Sequence, residues 1–343
     1  MARAKGVTIR DVARRAGVSI AAVSMALNDT GTLSAATRLR VRAIADEMDY
    51  QADALARGLR RSSVGAIGMV VRSLDTLGEY APEGVDVFSR HIASASAQAM
   101  DRGLSLMLLP DLTRRPTPPL SLSLDGYIVV SPHLDDPVVA LLERRGMPYV
   151  TLGRDPGRPD FTDWASEDDV TVCRQILDHF RAGGARSVVF LRGTEPNAWN
   201  IDNEAVYRAW CEAHGVEPRV YLSAEGDSVA GSEAVTHRIL DDGVPDALLC
   251  QTGRHALGAL TALRDRGVDV PNRTMLAAHS DSEHTRHSRP AISAAELYSP
   301  ATTVALLDLL QARMAGEPSA GPILTGVRFR VRASSRRTPA PTN

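Results

Sequence analysis

From Val64 onward, short apolar runs alternate with longer amphipathic stretches, and this alternation restricts the chain to a parallel α/β architecture. Runs at 66–71, 105–109, 125–130 and 149–152 read as buried strands, with a helix over 85–102 closed by Gly103. A second series follows: helix 169–182, strand 187–191, helix 204–214, strand 219–222, helix 230–241, strand 247–251, helix 255–266 and strand 275–279. Two such series predict two lobes, with a ligand cleft outside the carboxyl ends of their strands. The last stretch, 334–343, has no apolar pattern to pack and reads as a disordered tail.

The first sixty residues obey a different rule. Over 8–16, Ile9, Val12, Ala13 and Ala16 form one apolar face at helical spacing, Thr8 stands at the cap and Asp11 lies in the first turn. Gly17-Val18-Ser19 makes a tight turn, and a helix over 20–28 puts Val23, Ala26 and Leu27 on its buried side. Two helices joined by a short glycine turn form a helix-turn-helix. A third helix follows Ser34, with Val41, Ile44, Ala45 and Met48 inward and Arg38, Arg40 and Arg42 mostly outside.

Charge separates the two parts. The chain has 39 Lys and Arg against 41 Asp and Glu, yet residues 1–63 hold eleven of the basic residues and six of the acidic ones. A basic head on an acidic body suits a polyanion-binding module. Hydrophobic residues at 44% and charged residues at 23% are ordinary for a globular protein. No apolar run approaches the roughly 20 residues of a membrane span, and no apolar segment follows Met1–Gly6 to make a secretory signal. Cys173, Cys211 and Cys250 lack any CxxC pairing and read as reduced, buried thiols of a cytoplasmic protein.

The head carries a specific pattern: Val7-Thr8-Ile9-Arg10-Asp11-Val12-Ala13, Ala16-Gly17-Val18-Ser19, Ala22-Val23-Ser24, Asn28, Ser34, Thr37-Arg38, Tyr50 and Ala56-Arg57-Gly58-Leu59-Arg60. This run resembles the headpiece and hinge helix of LacI/GalR transcriptional regulators. The resemblance continues more loosely through Val64–Gly68, Glu167-Asp168, Tyr207–Ala209, Ala256–Leu260 and Gly326–Phe329. It implies an α/β protein with an N-terminal all-α helix-turn-helix headpiece and a two-lobed, periplasmic-binding-protein-like domain with two parallel sheets. The implied segments are 1–52 for the headpiece and 53–63 for the hinge helix and linker. The first lobe takes 64–161 plus 291–320, and the second takes 162–290 plus 321–333.

By the same resemblance the second helix enters the major groove, with Ile20, Ala21 and Met25 toward the bases and Ala22 and Ser24 beside them. Thr8, Ser19, Ser24, Asn28, Ser34 and Thr37 match positions that grip phosphates. In the hinge, Ala56, Leu59 and Arg60 contact DNA, Leu59 as a wedge in the central minor-groove step. The family usually has Arg where Met25 stands and Pro where Ala52 stands, which implies an unusual operator.

Ligand recognition departs further from the family. Its sugar-binding members use Arg where Asn203 stands, Asn-Asp where Thr252-Gly253 stand, and Asp where Ser280 precedes Asp281, so only Asp168 survives. Arg72, Arg154, Arg192 and Arg254, with Asp168, Asn203, Thr252, Ser280 and Asp281, form the expected cleft lining, and several arginines suit an anion such as a phosphate or carboxylate. His279, His284 and His287 lie on an expected loop without cysteine or carboxylate partners, so no metal and no cofactor are assigned.

The expectation is a non-enzymatic, dimeric DNA-binding repressor whose small-molecule effector, of unknown identity, occupies the interlobe cleft, with double-stranded operator DNA as partner and no membrane. The sequence has no GxSxG, GxxxxGK(S/T), GxGxxG after a strand, or HExxH. A regulator that has lost sugar sensing and answers to a protein partner, or to no ligand, is the alternative.

Overall fold

The computed structural model describes residues 7–50, 63–71, 86–114 and 116–337. Residues to Gly65 form one compact unit and those from Ala66 a second.

The first unit has three helices: α1 (Ile9–Ala16), α2 (Ile20–Leu27) and α3 (Ala35–Glu47). Thr8 donates its N–H and its hydroxyl to the Asp11 carboxylate at 3.0 and 2.6 Å, holding the first turn of α1. Gly17 ends that helix at φ +64°, a region where a side chain is strained. Ser19 accepts from the Ala22 N–H and Ser34 from the Thr37 N–H, capping α2 and α3. Val12, Ala13, Ala16, Val23, Ala26, Val41 and Ala45 bury against one another, with Leu27 partly buried beside them. Arg38 and Arg42 donate to the carbonyls of Met25 and Ala26 and both pair with Asp29, fastening α3 to the end of α2.

In the second unit the first lobe begins with β1 (Ala66–Val70), α4 (Asp86–Asp101), β2 (Ser105–Leu109), β3 (Gly126–Val130), α5 (Pro137–Arg144), β4 (Tyr149–Leu152) and β5 (Trp164–Glu167). The second lobe follows with α6 (Asp169–Ala182), β6 (Val188–Arg192), α7 (Ala198–His214), β7 (Arg219–Leu222), α8 (Ser228–Asp241) and β8 (Ala247–Cys250). It continues through α9 (Gly253–Asp265), β9 (Met275–Ala278), α10 (Glu283–His287) and β10 (Ser293–Glu296). Helix α11 (Pro300–Met314) returns to the first lobe, and strands β11 (Ile323–Thr325) and β12 (Arg328–Arg330) follow.

Two six-stranded sheets result, ordered β11-β5-β4-β3-β1-β2 and β12-β10-β9-β8-β6-β7. All neighbours run parallel except β10 and β12. Their central strands are buried, as helix-covered parallel sheets require. The three cysteines are free and buried. Among the described residues no helix is long and apolar enough to cross a membrane.

Three expectations need correction. Strand β5 completes the first sheet and β10 belongs to the second, so the chain leaves the first lobe after Glu167 and returns only after Glu296. Strand β11 lies in the first sheet, which moves the final crossover to the Thr325–Arg328 turn. Residues 334–337 of the expected tail are packed. Ser334 donates to the Leu276 carbonyl at 2.6 Å, Ser335 meets His179, and Arg337 donates to the carbonyls of Gly183 and Asp246. Hydrogen bonds to β9, to α6 and its end, and to the residue before β8 hold this segment where apolar packing could not.

Candidate functional site

Two surfaces have the makings of a site. On the headpiece, the cap residue Ser19 and Ile20, Ala21 and Met25 of α2 are exposed, while Val23 and Ala26 face inward. Met25 is 37% exposed and its thioether lies over Gly31, where an added Cβ would come within 2.6 Å of Sδ. Ala22 and Ser24 are half-buried, and Asn28 donates its amide to the Ser24 carbonyl at 2.8 Å. Thr8 is exposed at the start of α1, and the Ser34 and Thr37 hydroxyls lie 2.8 Å apart at the start of α3. Three capped helix N-termini, at Thr8, Ser19 and Ser34, therefore offer backbone donors of the kind that hold phosphate oxygens. Ala56, Leu59 and Arg60 lie outside the described residues.

The second surface is a cavity of about 380 Å³ between the lobes. Helices α6, α7 and α9 begin at its edge, capped by Asp168, Asn197 and Thr252 at the carboxyl ends of β5, β6 and β8. Two of the chain's three tryptophans, Trp164 and Trp199, line it with Phe88, Leu152 and Leu297. The Trp199 indole N–H donates to His279 Nδ1 at 3.0 Å, so the proton sits on Nε2, which donates to the Asp169 carbonyl at 2.9 Å. Burial keeps this imidazole neutral, pushing it down to about 4. With its one donor taken, Trp199 can offer a ligand only its ring.

The lobes are tied across this cavity. Arg154, just after β4, holds Asp202 of α7 with Nη2–Oδ1 at 2.6 Å and Nε–Oδ2 at 3.2 Å, and the Leu134 N–H donates to the Pro196 carbonyl at 2.7 Å. At the floor, Glu167 accepts from the Thr302 hydroxyl and the Ser299 N–H and lies 3.5 Å from His91. Burial pushes Glu167 up to about 7 and His91 down to about 4. Asp169 is raised to about 6, again chiefly by burial.

The sign of the Glu167 effect follows from proton binding. The unfolded carboxyl loses its proton near 4.5, whereas the native one keeps it to about 7. Between those values the native state binds more protons, so stability contributed by this group is lost as pH rises. Glu167→Gln keeps the acceptor for Ser299 and Thr302 and is expected to remove a decline of roughly 3 kcal/mol between pH 4.5 and 7.5. Urea unfolding of both proteins across that range checks it. Parallel pH profiles would show that Glu167 ionises normally.

Of the residues expected to line the cleft, Arg154, Asp168, Thr252, Arg254 and Ser280 do so. Three do not. Arg192 is turned onto Glu204 and the Gly193 carbonyl. Asn203 is fully buried, donating to Asp169 and the Trp199 carbonyl. Asp281 is buried under Arg332, Arg286 and Thr285. Arg72 lies outside the described residues. The sequence reading missed Trp164, Trp199, Glu167, Asp169, Asn197 and Asp202; the scarcity of tryptophan in this chain was the signal available for the first two. With both ring nitrogens of His279 engaged, the histidine trio at 279, 284 and 287 has no common centre to offer a metal.

A helix-turn-helix unit followed by a two-lobed parallel α/β domain with a cleft at its strand ends is the architecture of a ligand-responsive transcription regulator. Residues 8–53 match the family described as bacterial regulatory proteins, lacI family, and residues 177–335 match a periplasmic binding protein-like domain. The chain thus joins a DNA-binding domain of the lacI family to a periplasmic binding protein-like domain, and the curated relatives it resembles are transcription regulators. It is 26% identical over 327 residues to the HTH-type transcriptional regulator CelR of Thermobifida fusca, covering 92% of this chain and 94% of that protein. Catabolite control protein A of Staphylococcus xylosus is 24% identical over 291 residues, 84% of this chain and 86% of its own length. The fold superposes on a lac repressor dimer bound to operator and the anti-inducer ONPF with TM-score 0.81 at 22% identity, covering 96% and 99% of the two chains.

Proposed function

We propose that this protein is a cytoplasmic, non-catalytic repressor that binds a pseudo-palindromic operator as a homodimer and changes affinity when a small molecule enters the interlobe cleft. The observation that carries the DNA reading is the exposed row Ile20, Ala21 and Met25 on α2, backed by buried Val23 and Ala26. In this reading α2 enters the major groove and the hinge, which lies outside the described residues, wedges Leu59 into the central step.

None of the three exposed side chains can form a bidentate hydrogen bond with guanine or adenine. They select bases through thymine methyls and shape, while the hinge supplies specificity through the cost of deforming the centre. Met25→Arg is therefore expected to shift the preferred base toward guanine at one position in each half-site, by about 1–3 kcal/mol, with the centre unchanged. Selection from randomised operators with both proteins tests this. Identical half-sites would sink the placement of Met25 against the bases.

For the effector, the arginine count no longer favours an anion. Arg192 is bound to Glu204 and Arg154 to Asp202, which leaves Arg254 as the cleft guanidinium without a counter-charge among the described residues. The aromatic walls and the replacement of sugar-clasping groups at Thr252 and Ser280 support a ligand with an apolar face and few hydroxyls.

A further inference from the structure

The geometry points to a divalent-metal site on the outer face of the second lobe, formed by Glu233 and His237 of α8 and Asp265 at the end of α9. Glu233 and His237 are four residues apart on one helix, so their side chains share a face. Asp265 comes from the neighbouring helix, and the three donor atoms all lie within 4.8 Å of one another.

What brings the two helices this close is Gly258. A Cβ there would lie 2.2 Å from Ser232 Oγ, 2.3 Å from the Val229 carbonyl and 2.8 Å from the Glu233 nitrogen. The backbones therefore meet within one turn of Glu233, and Asp265, two turns beyond Gly258, is carried to the level of His237. Beneath them Val235, Ile239, Ala259, Leu260 and Leu263 lock both helices onto the sheet. The donor set is thus presented by rigid elements, as a preorganised chelate requires.

Charge supports the same reading. Two carboxylates face each other here, and none of the three side chains has an ion pair or hydrogen bond to another side chain among the described residues. The nearby Arg266 is turned instead to Asp241 at 2.7 Å. One imidazole and two carboxylates suit zinc and its neighbours, with bonds of about 2.0–2.2 Å, better than they suit calcium, which takes six to eight oxygens. Small side-chain rotations close the cluster to tetrahedral spacing, with a fourth position left for water. The metal would join α8 to α9 and has no part in the cleft.

The test uses untagged full-length protein, stripped with chelator and titrated with zinc alone by calorimetry. One equivalent per chain is expected, accompanied by a rise in melting temperature. His237→Ala and Asp265→Asn should each weaken the binding on the order of tenfold or more, the lower bound being what loss of an outer-shell partner costs. Both variants replace half-buried or exposed groups, and melts in chelator establish that they fold. His284→Ala, on α10, should leave the titration unchanged. Cobalt substituted for zinc should give an intense visible band in the parent protein and not in His237→Ala. Absence of saturable zinc binding, or binding that survives both substitutions, overturns the site.

Discussion

Raising salt from 50 to 200 mM is expected to weaken operator binding by about 10³- to 10⁵-fold, the largest single effect foreseen for this protein. Phosphate-bound cations release counterions, so the slope of log K against log salt counts them at about 0.9 each. In each headpiece the structure separates free cations from spent ones. Arg38 and Arg42 are held by Asp29, Arg15 by Glu47 and Arg14 by Asp11. Arg10 and Arg40 are exposed and have no ion pair among the described residues. Two headpieces in a dimer therefore contribute four such cations, a floor of roughly 10²-fold over this salt range. Arg3, Lys5, Arg57, Arg60 and Arg61 lie outside the described residues, and one to three phosphate contacts from them per headpiece bring the number to six to ten. The neutral phosphate contacts proposed for Thr8, Ser19 and Ser34 would fix register but add little to the slope. Binding measured across a salt series, with stoichiometry from sedimentation, decides the matter. A slope shallower than the four-cation floor, or a monomer on the operator, would reject the dimeric headpiece reading.

The body's architecture was legible because helices and strands in a covered parallel sheet differ in apolar period. Helix α6 and strands β2, β4 and β7 fall where the pattern placed them. Helix α7 was read as starting at 204 but begins at Ala198. Its first turns carry Trp199, Asn200, Asp202 and Asn203, whose polar groups serve the cleft and its backing and so break the apolar repeat. Strand β5 escaped for a related reason: only Ala165 and Glu167 of its four residues are buried, and one of these is a carboxyl. Charged residues were the least legible, because type shows what a side chain can bind and not which partner takes it. Arg192 and Asp281 looked like cleft ligands and are spent on the second lobe's own structure, while Arg154 reaches the cleft and is met there by Asp202.

That distinction makes Asp281 the sharpest test of the lobe's internal wiring. Its Oδ1 accepts from Arg332 Nη1 at 2.8 Å and from the Thr285 hydroxyl, and its Oδ2 accepts from Arg332 Nη2 at 3.0 Å and Arg286 Nη1 at 3.2 Å. Arg332 follows β12, Thr285 and Arg286 lie in α10, and the Asp281 N–H donates to the Ala295 carbonyl of β10. Through its carboxylate and its N–H, this one residue thus joins three elements at the point where the chain makes its last pass through the second lobe. Burial by itself would raise this carboxyl, but the hydrogen bonds from Arg332 and Thr285 and the two arginine charges prevail, so it is lowered. A carboxyl lowered in the native state contributes stability that is present above its unfolded value of 3.8 and is lost as pH falls through the native one. Asp281→Asn preserves shape and removes the carboxylate charge that the Arg332 and Arg286 guanidiniums share at this junction. Removing one partner of a buried pair costs about 3–5 kcal/mol. The side chains of Arg286 and Arg332 are 30% and 19% exposed, so water recovers part of that and the low end applies. About 3 kcal/mol lowers the melting temperature of a domain this size by roughly 6–12 °C. The gap between the two proteins should be full at pH 7 and narrow below pH 4, where the parent carboxylate also takes up a proton. A shift under about 2 °C at pH 7, or a gap that does not narrow in acid, would show that Asp281 does not hold this junction and would return it to the cleft as a candidate ligand contact.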